Sequence, residues 1–535
     1  MVPEGRPNVV IVVAEDLGYS DFGGYGGEIS TPNIDLLAAQ GTRLTQFYNT
    51  ARCSPSRASL LTGLHPHQAG IGILTGSDGP VGYPGDLNRE GSTIAEILKS
   101  VGYATAAIGK WHLAADTHSP SDAWPTRRGF DYFYGTLTGC GSYYDPPTLV
   151  RGETPVADEQ RVDDYYYTDA IGREAVEWIE RAARADAPFF LYVPFTAPHW
   201  PLHAPEAAVR GYAGRYDVGW DVLREQRFRR QQEIGIVDPE ATLSPRDADE
   251  PAWVDVVEPR WQARRMEVYA AQVELMDAAV GRILDALDRT GAADDTMVIV
   301  LSDNGASAEE VPHVPGFRSL DIFSDTTKDG EPVQLGNSPS IEPGPATTYS
   351  SYGRAWANLS NTPFRLYKMW THEGGIAAPF IVRWPGGGVR PGAIARTPHQ
   401  LTHVVPTVLE AVGVEPPQVV GGRPTLPLEG MSFLDELRGR TGQEQDVPLF
   451  WEHCGNAAVR RGSWKLVRTY GHPWELYELA TDPTELHDVI SDHRGVAEEL
   501  LELWTAWARR VGVRPFGAVV DLYEVRGGDE NAARR

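Results

Sequence analysis

The run Val9-Val10-Ile11-Val12-Val13 is β-branched at every position and contains no polar residue. A strand with one face in water alternates apolar and polar side chains, whereas a continuous apolar run suits a strand covered on both faces. Thr296-Met297-Val298-Ile299-Val300-Leu301 repeats the pattern, and Phe189-Phe190-Leu191-Tyr192-Val193 is a third such run. Helical spacing precedes two of them. Ile171, Val176 and Ile179 start one stripe, and Met266, Tyr269, Val273, Met276, Val280, Ile283, Leu284 and Leu287 form a longer one. Strands alternating with helices predict an α/β sheet.

The chain has 535 residues, which at roughly 100–200 residues per domain argues for two or more. Residues 1–400 read as the large domain, with 211–265, charged and punctuated by prolines, as an elaboration over it. The character changes beyond residue 400, where Pro416-Pro417, Gly421-Gly422 and Pro424 to Pro427 mark a linker. Short strand candidates follow at Ala457–Arg460, Trp464–Val467 and Glu475–Leu479, then a helix from Val496 to Val511. Residues 401–535 thus read as a small α+β domain with an antiparallel sheet and a tail frayed beyond Gly527.

Lys and Arg number 48 against 73 Asp and Glu, a formal net charge of −25. So acidic a chain is a poor partner for nucleic acid or an anionic membrane, and an anionic substrate would need a local cluster of cations. Three cysteines cannot form a disulfide framework, which suits a reducing cytosol. The first apolar run is short and ends in Glu15-Asp16, unlike a secretory signal, and no run approaches the roughly 20 apolar residues of a membrane span. A cytoplasmic location is expected.

Glu15-Asp16 and Asp303-Asn304 each close an apolar run. In open α/β sheets ligands sit beyond the carboxyl ends of strands, where four such oxygen ligands would converge on a hard cation, Ca²⁺ or Mg²⁺. Taken singly, either pair also reads as turn chemistry. Cys53-Ser54-Pro55-Ser56-Arg57 places a thiol four residues before an arginine at an expected helix start. A helix N-terminus and a guanidinium would both stabilise a thiolate or a bound oxyanion, although a lone cysteine is also an ordinary core residue.

Cys53-Ser54-Pro55-Ser56-Arg57 with Ala58 to Gly63 resembles the signature of type I, formylglycine-dependent sulfatases of the alkaline phosphatase superfamily. Lys110-Trp111-His112 resembles the second signature of that family, and Ser302-Asp303-Asn304-Gly305 its second metal motif. Ala197 to Leu202, Lys368 to Gly375, Arg461 to Leu466 and Asp482-Pro483 extend the likeness along nearly the whole chain, which looks like bacterial arylsulfatases. The resemblance implies an alkaline-phosphatase-like large domain with a mixed, mostly parallel sheet flanked by helices, and the smaller C-terminal domain. It implies hydrolysis of small-molecule sulfate esters, with aryl sulfates as the default, by a monomer.

Carried over residue by residue, Cys53 would be oxidised to formylglycine by a separate maturation enzyme. One hydroxyl of the aldehyde hydrate would attack sulfur, and loss of the other proton would expel sulfate. Glu15, Asp16, Asp303 and Asn304 would hold Ca²⁺, with oxygens from modified Cys53 completing the shell. Arg57 would hold the hydrate and the carboxylates, and Lys110 and Lys368 would bind sulfate oxygens. His112 would take the hydrate proton and His199 would protonate the leaving oxygen. His372 reads as structural, His65 and His67 have no assigned role, and Cys140 and Cys454 read as buried small hydrophobes. Trp111, Trp200, Tyr143 and Tyr144 are candidates to wall a leaving-group pocket, although aromatics beside an active site are equally often packing residues.

Glu15 departs from the pattern, which usually has aspartate there. The extra methylene moves the carboxylate by about 1.5 Å. Calcium, taking about six to eight oxygens in a flexible shell, absorbs this more readily than octahedral Mg²⁺. Two other readings stay open: a phosphonate monoester or phosphodiester hydrolase of the same superfamily, and a non-catalytic calcium-binding protein on a sulfatase scaffold.

Overall fold

The computed structural model describes residues 5–162, 164–185, 187–311, 322–440 and 446–526. The central sheet has eleven strands. They are β1 (Asn8–Ala14), β2 (Thr42–Tyr48), β3 (Ala104–Ile108), β4 (Tyr132–Thr136), β5 (Leu149–Arg151), β6 (Thr154–Pro155), β7 (Phe189–Pro194), β8 (Thr296–Ser302), β9 (Ala377–Arg383), β10 (Ala393–Ala395) and β11 (His399–Gln400). The order is β10-β2-β9-β8-β1-β7-β3-β4-β5-β6, with β11 paired to β2. β8, β1, β7, β3 and β4 run parallel, β9 lies antiparallel between β8 and β2, and β5 and β6 finish the far edge antiparallel.

The three apolar runs of the sequence are β1, β7 and β8, side by side at the centre. Alternate side chains enter different cores: Val10 and Val12 pack on one face, Val9, Ile11 and Val13 on the other. This is why the run needs no polar alternation. The first face is covered by α2 (Tyr167–Ala182) and α3 (Pro259–Arg289), through Ile171, Ile179, Met266, Val273 and Val280. The second is covered by α1 (Cys53–Thr62), through Ala58, Leu60 and Leu61, and by the helix Val404–Ala411.

Helix Gly219–Glu233, within the charged 211–265 segment, is keyed to the main body by buried guanidiniums. Arg227 pairs with Asp21 at 2.6 Å and Glu28 at 2.7 Å, and Arg224 donates to the carbonyls of Ser244 and Asn358. Residues 259–265 form the opening turns of α3. The C-terminal part builds a four-stranded antiparallel sheet, β12 (Leu449–His453), β13 (Asn456–Arg461), β14 (Trp464–Arg468) and β15 (Glu475–Glu478), covered by α4 (Arg494–Val511). β12 adds a strand to the three expected from sequence. The expected frayed tail lies outside the described residues. Among these, no helix is long and apolar enough to cross a membrane.

Candidate active site

The β1–β8 register pairs Val13 with Leu301 and Ala14 with Ser302, so Glu15-Asp16 and Asp303-Asn304 leave neighbouring parallel strands at the same level. The two acidic pairs are joined directly. The Asp16 amide donates to Asp303 Oδ1 at 3.2 Å, and Asn304 Nδ2 donates to Asp16 Oδ1 at 2.6 Å. Asp16 has a φ of 57°, a strained conformation for a non-glycine residue that such contacts hold in place.

α1 starts at Cys53, which is buried, and one turn later projects Arg57 into the gap between the strand ends. Arg57 donates to Glu15, to Asp303 Oδ2 through Nε and Nη2 at 3.2 Å, and to the Lys110 carbonyl at 2.9 Å. Burial alone would raise the Glu15 pKa, but Lys110 and Arg57 hold its carboxyl well below the usual range. Burial, and then the charge of Glu15, push Asp303 up. Burial also pushes the Cys53 thiol up, against the pull of Lys110 and Lys368.

Lys110 follows β3 through Gly109, whose φ of 133° and 2.0 Å separation between a built Cβ and the Pro194 carbonyl oxygen exclude a side chain. The Lys110 ammonium is fully buried on Glu15. Lys368 Nζ lies 2.9 Å from Asp16 Oδ2, 3.1 Å from Glu309 Oε2 and 3.5 Å from His199 Nε2. His199 Nε2 is 3.2 Å from Asp16 Oδ2. Its Nδ1–H donates to the Trp200 carbonyl at 2.6 Å, which leaves Nε2 as the nitrogen facing the cluster. His112, at a φ of 55°, has a buried Nδ1 without a hydrogen-bond partner among the described residues. Burial, reinforced by Lys110, holds it well below pKa 6.5, so the imidazole is neutral.

The donor set fits a hard divalent cation. Asn304 Oδ1 is buried without a hydrogen-bond partner among the described residues, and it sits among carboxylates on a pair of neighbouring strand ends. Glu15, Asp16 and His199 also bring ligand atoms within 4.8 Å of one another.

Every site residue expected from sequence lies in this cluster or bordering it, and Lys110 and Lys368 are buried rather than solvated. Glu309 was not anticipated. It accepts from Lys368, from Trp200 Nε1 at 2.9 Å and from Arg52 Nη1 at 2.7 Å, and so ties the residue before Cys53 to the lysine opposite. Trp111, by contrast, does not wall a pocket: its indole donates to the Ala123 carbonyl and its ring packs edge-on to Phe130 in the core. Tyr143 is also buried, its hydroxyl donating to the carbonyls of Thr196 and His199. Cys454 is buried as expected, whereas Cys140 is only partly so. His372, in keeping with a structural reading, is buried against Glu475.

The sulfatase family model matches residues 7–414. The chain belongs to the sulfatase family. The C-terminal model of N-sulphoglucosamine sulphohydrolase matches residues 364–506. An uncharacterized sulfatase of Schizosaccharomyces pombe is 33% identical over 539 residues, covering 95% of this chain and 94% of that protein. The arylsulfatase of Klebsiella aerogenes is 34% identical over 442 residues, covering 80% and 91%. The crystal structure of Ps i-CgsB in complex with k-i-k-neocarrahexaose shares the fold with a TM-score of 0.68 at 24% identity, covering 94% of this chain and 93% of that one. The mixed sheet flanked by helices, with its C-terminal antiparallel sheet, is the alkaline-phosphatase-like fold of sulfatases. Sulfuric ester hydrolysis is accordingly the activity class of the family.

Proposed function

We propose that this sulfatase hydrolyses aryl sulfates with Cys53 converted to formylglycine and Ca²⁺ held by Glu15, Asp16, Asp303 and Asn304. The observation that carries the reading is the convergence of Lys110, Lys368 and His199 on the strand ends beside the first residue of α1. Formylglycine at position 53 would supply a hydrated aldehyde as nucleophile, and the cation would supply positive charge against the sulfate oxygens.

The remaining work falls to the side chains. Lys110 and Lys368 bind the sulfate oxygens, which in this buried setting are held far more strongly than in water. Arg57 fixes the Glu15 and Asp303 carboxylates at their separation. His199, its Nδ1–H held by the Trp200 carbonyl and its Nε2 facing Asp16, would protonate the leaving oxygen only in its imidazolium form, which burial disfavours and the Asp16 charge favours. His112, neutral and with an unpartnered Nδ1, is the base. The unpaired cysteines suit a reducing cytosol, and membership of the sulfatase family supports a monomer matured by a formylglycine-generating enzyme.

The test is mass spectrometry of the Cys53 peptide from a host with that enzyme, together with sulfate release from 4-nitrophenyl sulfate. Conversion lowers the peptide mass by about 18 Da, because SH and H give way to a carbonyl oxygen. A peptide that keeps its thiol in protein that still binds calcium favours the non-catalytic scaffold. Faster turnover of an aryl phosphonate than of the sulfate reassigns the substrate.

A further inference from the structure

Alternation along the C-terminal sheet sends Val459, Leu466 and Leu476 into the core beneath α4, so their neighbours Arg460, Lys465 and Tyr477 face the other way. The register sets these three side by side, Arg460 opposite Lys465 and Lys465 opposite Tyr477. Each reaches the main body. Arg460 donates to the Tyr48 hydroxyl at the end of β2, Tyr477 accepts from Arg365 at 3.0 Å, and Lys465 donates to Glu373 Oε1 at 2.7 Å. Lys465 is fully buried, and its ammonium also lies 2.8 Å from Glu485 Oε1. Glu373 uses its other oxygen as well, accepting from Tyr48 at 2.9 Å, and its amide donates to Glu485 Oε2 at 2.8 Å.

Glu373 heads a short helix, Glu373–Ile376, against which the preceding segment folds back. A Cβ built on Gly375 would lie 1.9 Å from the Trp370 carbonyl oxygen, so the two stretches of backbone touch. Lys368 stands on this segment between Leu366 and Met369, whose φ angles are 66° and 87°. Left-handed backbone is disfavoured for residues with a Cβ and persists where surrounding contacts impose it. The C-terminal sheet and the loop after it supply several such contacts. Asn456 donates to the Met369 carbonyl at 2.9 Å, Arg365 donates to the Glu485 carbonyl at 2.9 Å, and Lys465 holds Glu373.

We infer that Lys465 is a positioning residue for hydrolysis: through Glu373 it fixes the 365–373 segment in the shape that carries the Lys368 ammonium to Asp16 and His199. The inference rests on the sulfatase reading and on the sulfate-binding role given there to Lys368. It makes the C-terminal sheet part of the active-site scaffold. Neutralising Lys465 leaves Glu373 and Glu485 as two buried carboxylates without the cation between them, which drives Glu373 from its seat and loosens the segment behind it.

The test compares the matured full chain with Lys465→Met, Lys465→Arg and Glu373→Gln. kcat and KM are measured on 4-nitrophenyl sulfate, and amide hydrogen exchange is followed by mass spectrometry across 365–373 and across β1 and β8. In Lys465→Met, kcat/KM should fall by about ten- to a hundredfold, mainly through KM. Exchange in 365–373 should quicken by at least about tenfold while β1 and β8 keep wild-type protection. Loss of folded enzyme alone would instead lower kcat at unchanged KM, because fewer molecules turn over. Lys465→Arg keeps the charge and should recover part of the activity. Should β1 and β8 also lose protection in Lys465→Met, Glu373→Gln carries the test with the same expected signs. Wild-type exchange in 365–373, a kcat/KM within twofold of wild type, or a kcat loss at unchanged KM overturns the inference. Faster exchange confined to the segment, in a protein whose wild type releases no sulfate from 4-nitrophenyl sulfate, leaves the clamp standing and removes the aryl sulfatase reading.

Discussion

Both Nε and Nη2 of Arg57 lie 3.2 Å from Asp303 Oδ2. The same guanidinium, fully buried, also meets Glu15, so one cation offsets two carboxylates from neighbouring strand ends. Breaking a buried pair by removing one partner typically costs about 3–5 kcal/mol, because the other charge is left uncompensated. Arg57→Ala should therefore lower the unfolding free energy by about that amount in urea titrations and abolish sulfate release. Arg57→Lys restores a charge but not a planar fork, and should recover stability more than activity. An alanine variant as stable as the wild type would show that the carboxylates are neutralised some other way.

Cys53 opens a helix and is buried, yet it makes no contact on which the fold depends for charge balance. Cys53→Ala should abolish sulfate release while changing the unfolding free energy by no more than about 1–2 kcal/mol. Residual turnover in this variant, measured against a host-protein blank, would remove the nucleophile assignment.

The acidic pairs were legible because each follows a strand whose apolar run marks it as central, and the β1–β8 register then brings the pairs together. The choice of Lys368 within Arg365 to Lys368 was open to a purely local reading. The fold settles which side chain reaches the cluster, since Arg365 turns instead to Glu475 and Tyr477. Glu309 gave no signal, being an ordinary loop acid until folding sets it between Lys368, Trp200 and Arg52. Trp111 stood open between pocket wall and packing, because adjacency to Lys110 in sequence says nothing about which way the indole points, and the fold packs it in the core. β12 was missed because Glu452 and His453 look solvated; both are buried, and Glu452 is satisfied by His67 at 2.8 Å.

Glu15 uses both carboxylate oxygens, one on Lys110 and one on Arg57. Glu15→Asp withdraws the carboxylate by about 1.5 Å. The shorter side chain matches the family pattern, so calcium affinity measured by titration calorimetry should be kept or raised. Stability should fall by about 1–3 kcal/mol as one of the two cations loses its partner. A severe loss of calcium binding would show that the local backbone is built around the longer side chain.

Burial holds His65 and His203 at pKa values of about 4 and His403 at about 3, against 6.5 for the free group. Below pH 6.5 the unfolded chain takes up protons that the folded chain refuses until pH 4 or lower. Their contribution is thus complete above 6.5 and is lost as pH falls through this window. The Tm should drop between about pH 7.5 and pH 5. His203→Gln, whose amide can still donate to the Thr348 carbonyl now bound by Nε2 at 2.6 Å, should shrink that drop. An unchanged drop in the variant would place the acid sensitivity elsewhere.

Glu309 meets four donors, Lys368, Trp200, Arg52 and the Ser307 hydroxyl, with two oxygens. Burial opposes its charge, but Lys368 and Arg52 hold it well below the usual carboxylate range, so it is an anion at neutral pH. Glu309→Gln removes that charge and turns one acceptor into an amide N–H facing donors. Lys368 then keeps Asp16 as its only anionic partner among the described contacts and is free to shift from its position beside His199. A positioning role of this kind is typically worth about ten- to a hundredfold in activity, and kcat/KM for an aryl sulfate should fall within that range. Because Lys368 is assigned to sulfate binding, KM should rise more than kcat falls. Glu309→Asp keeps the charge at shorter reach and should recover part of the loss, which a purely structural role for the glutamine variant would not predict. A kcat/KM within twofold of wild type in Glu309→Gln would mean that Asp16 alone suffices to place the lysine.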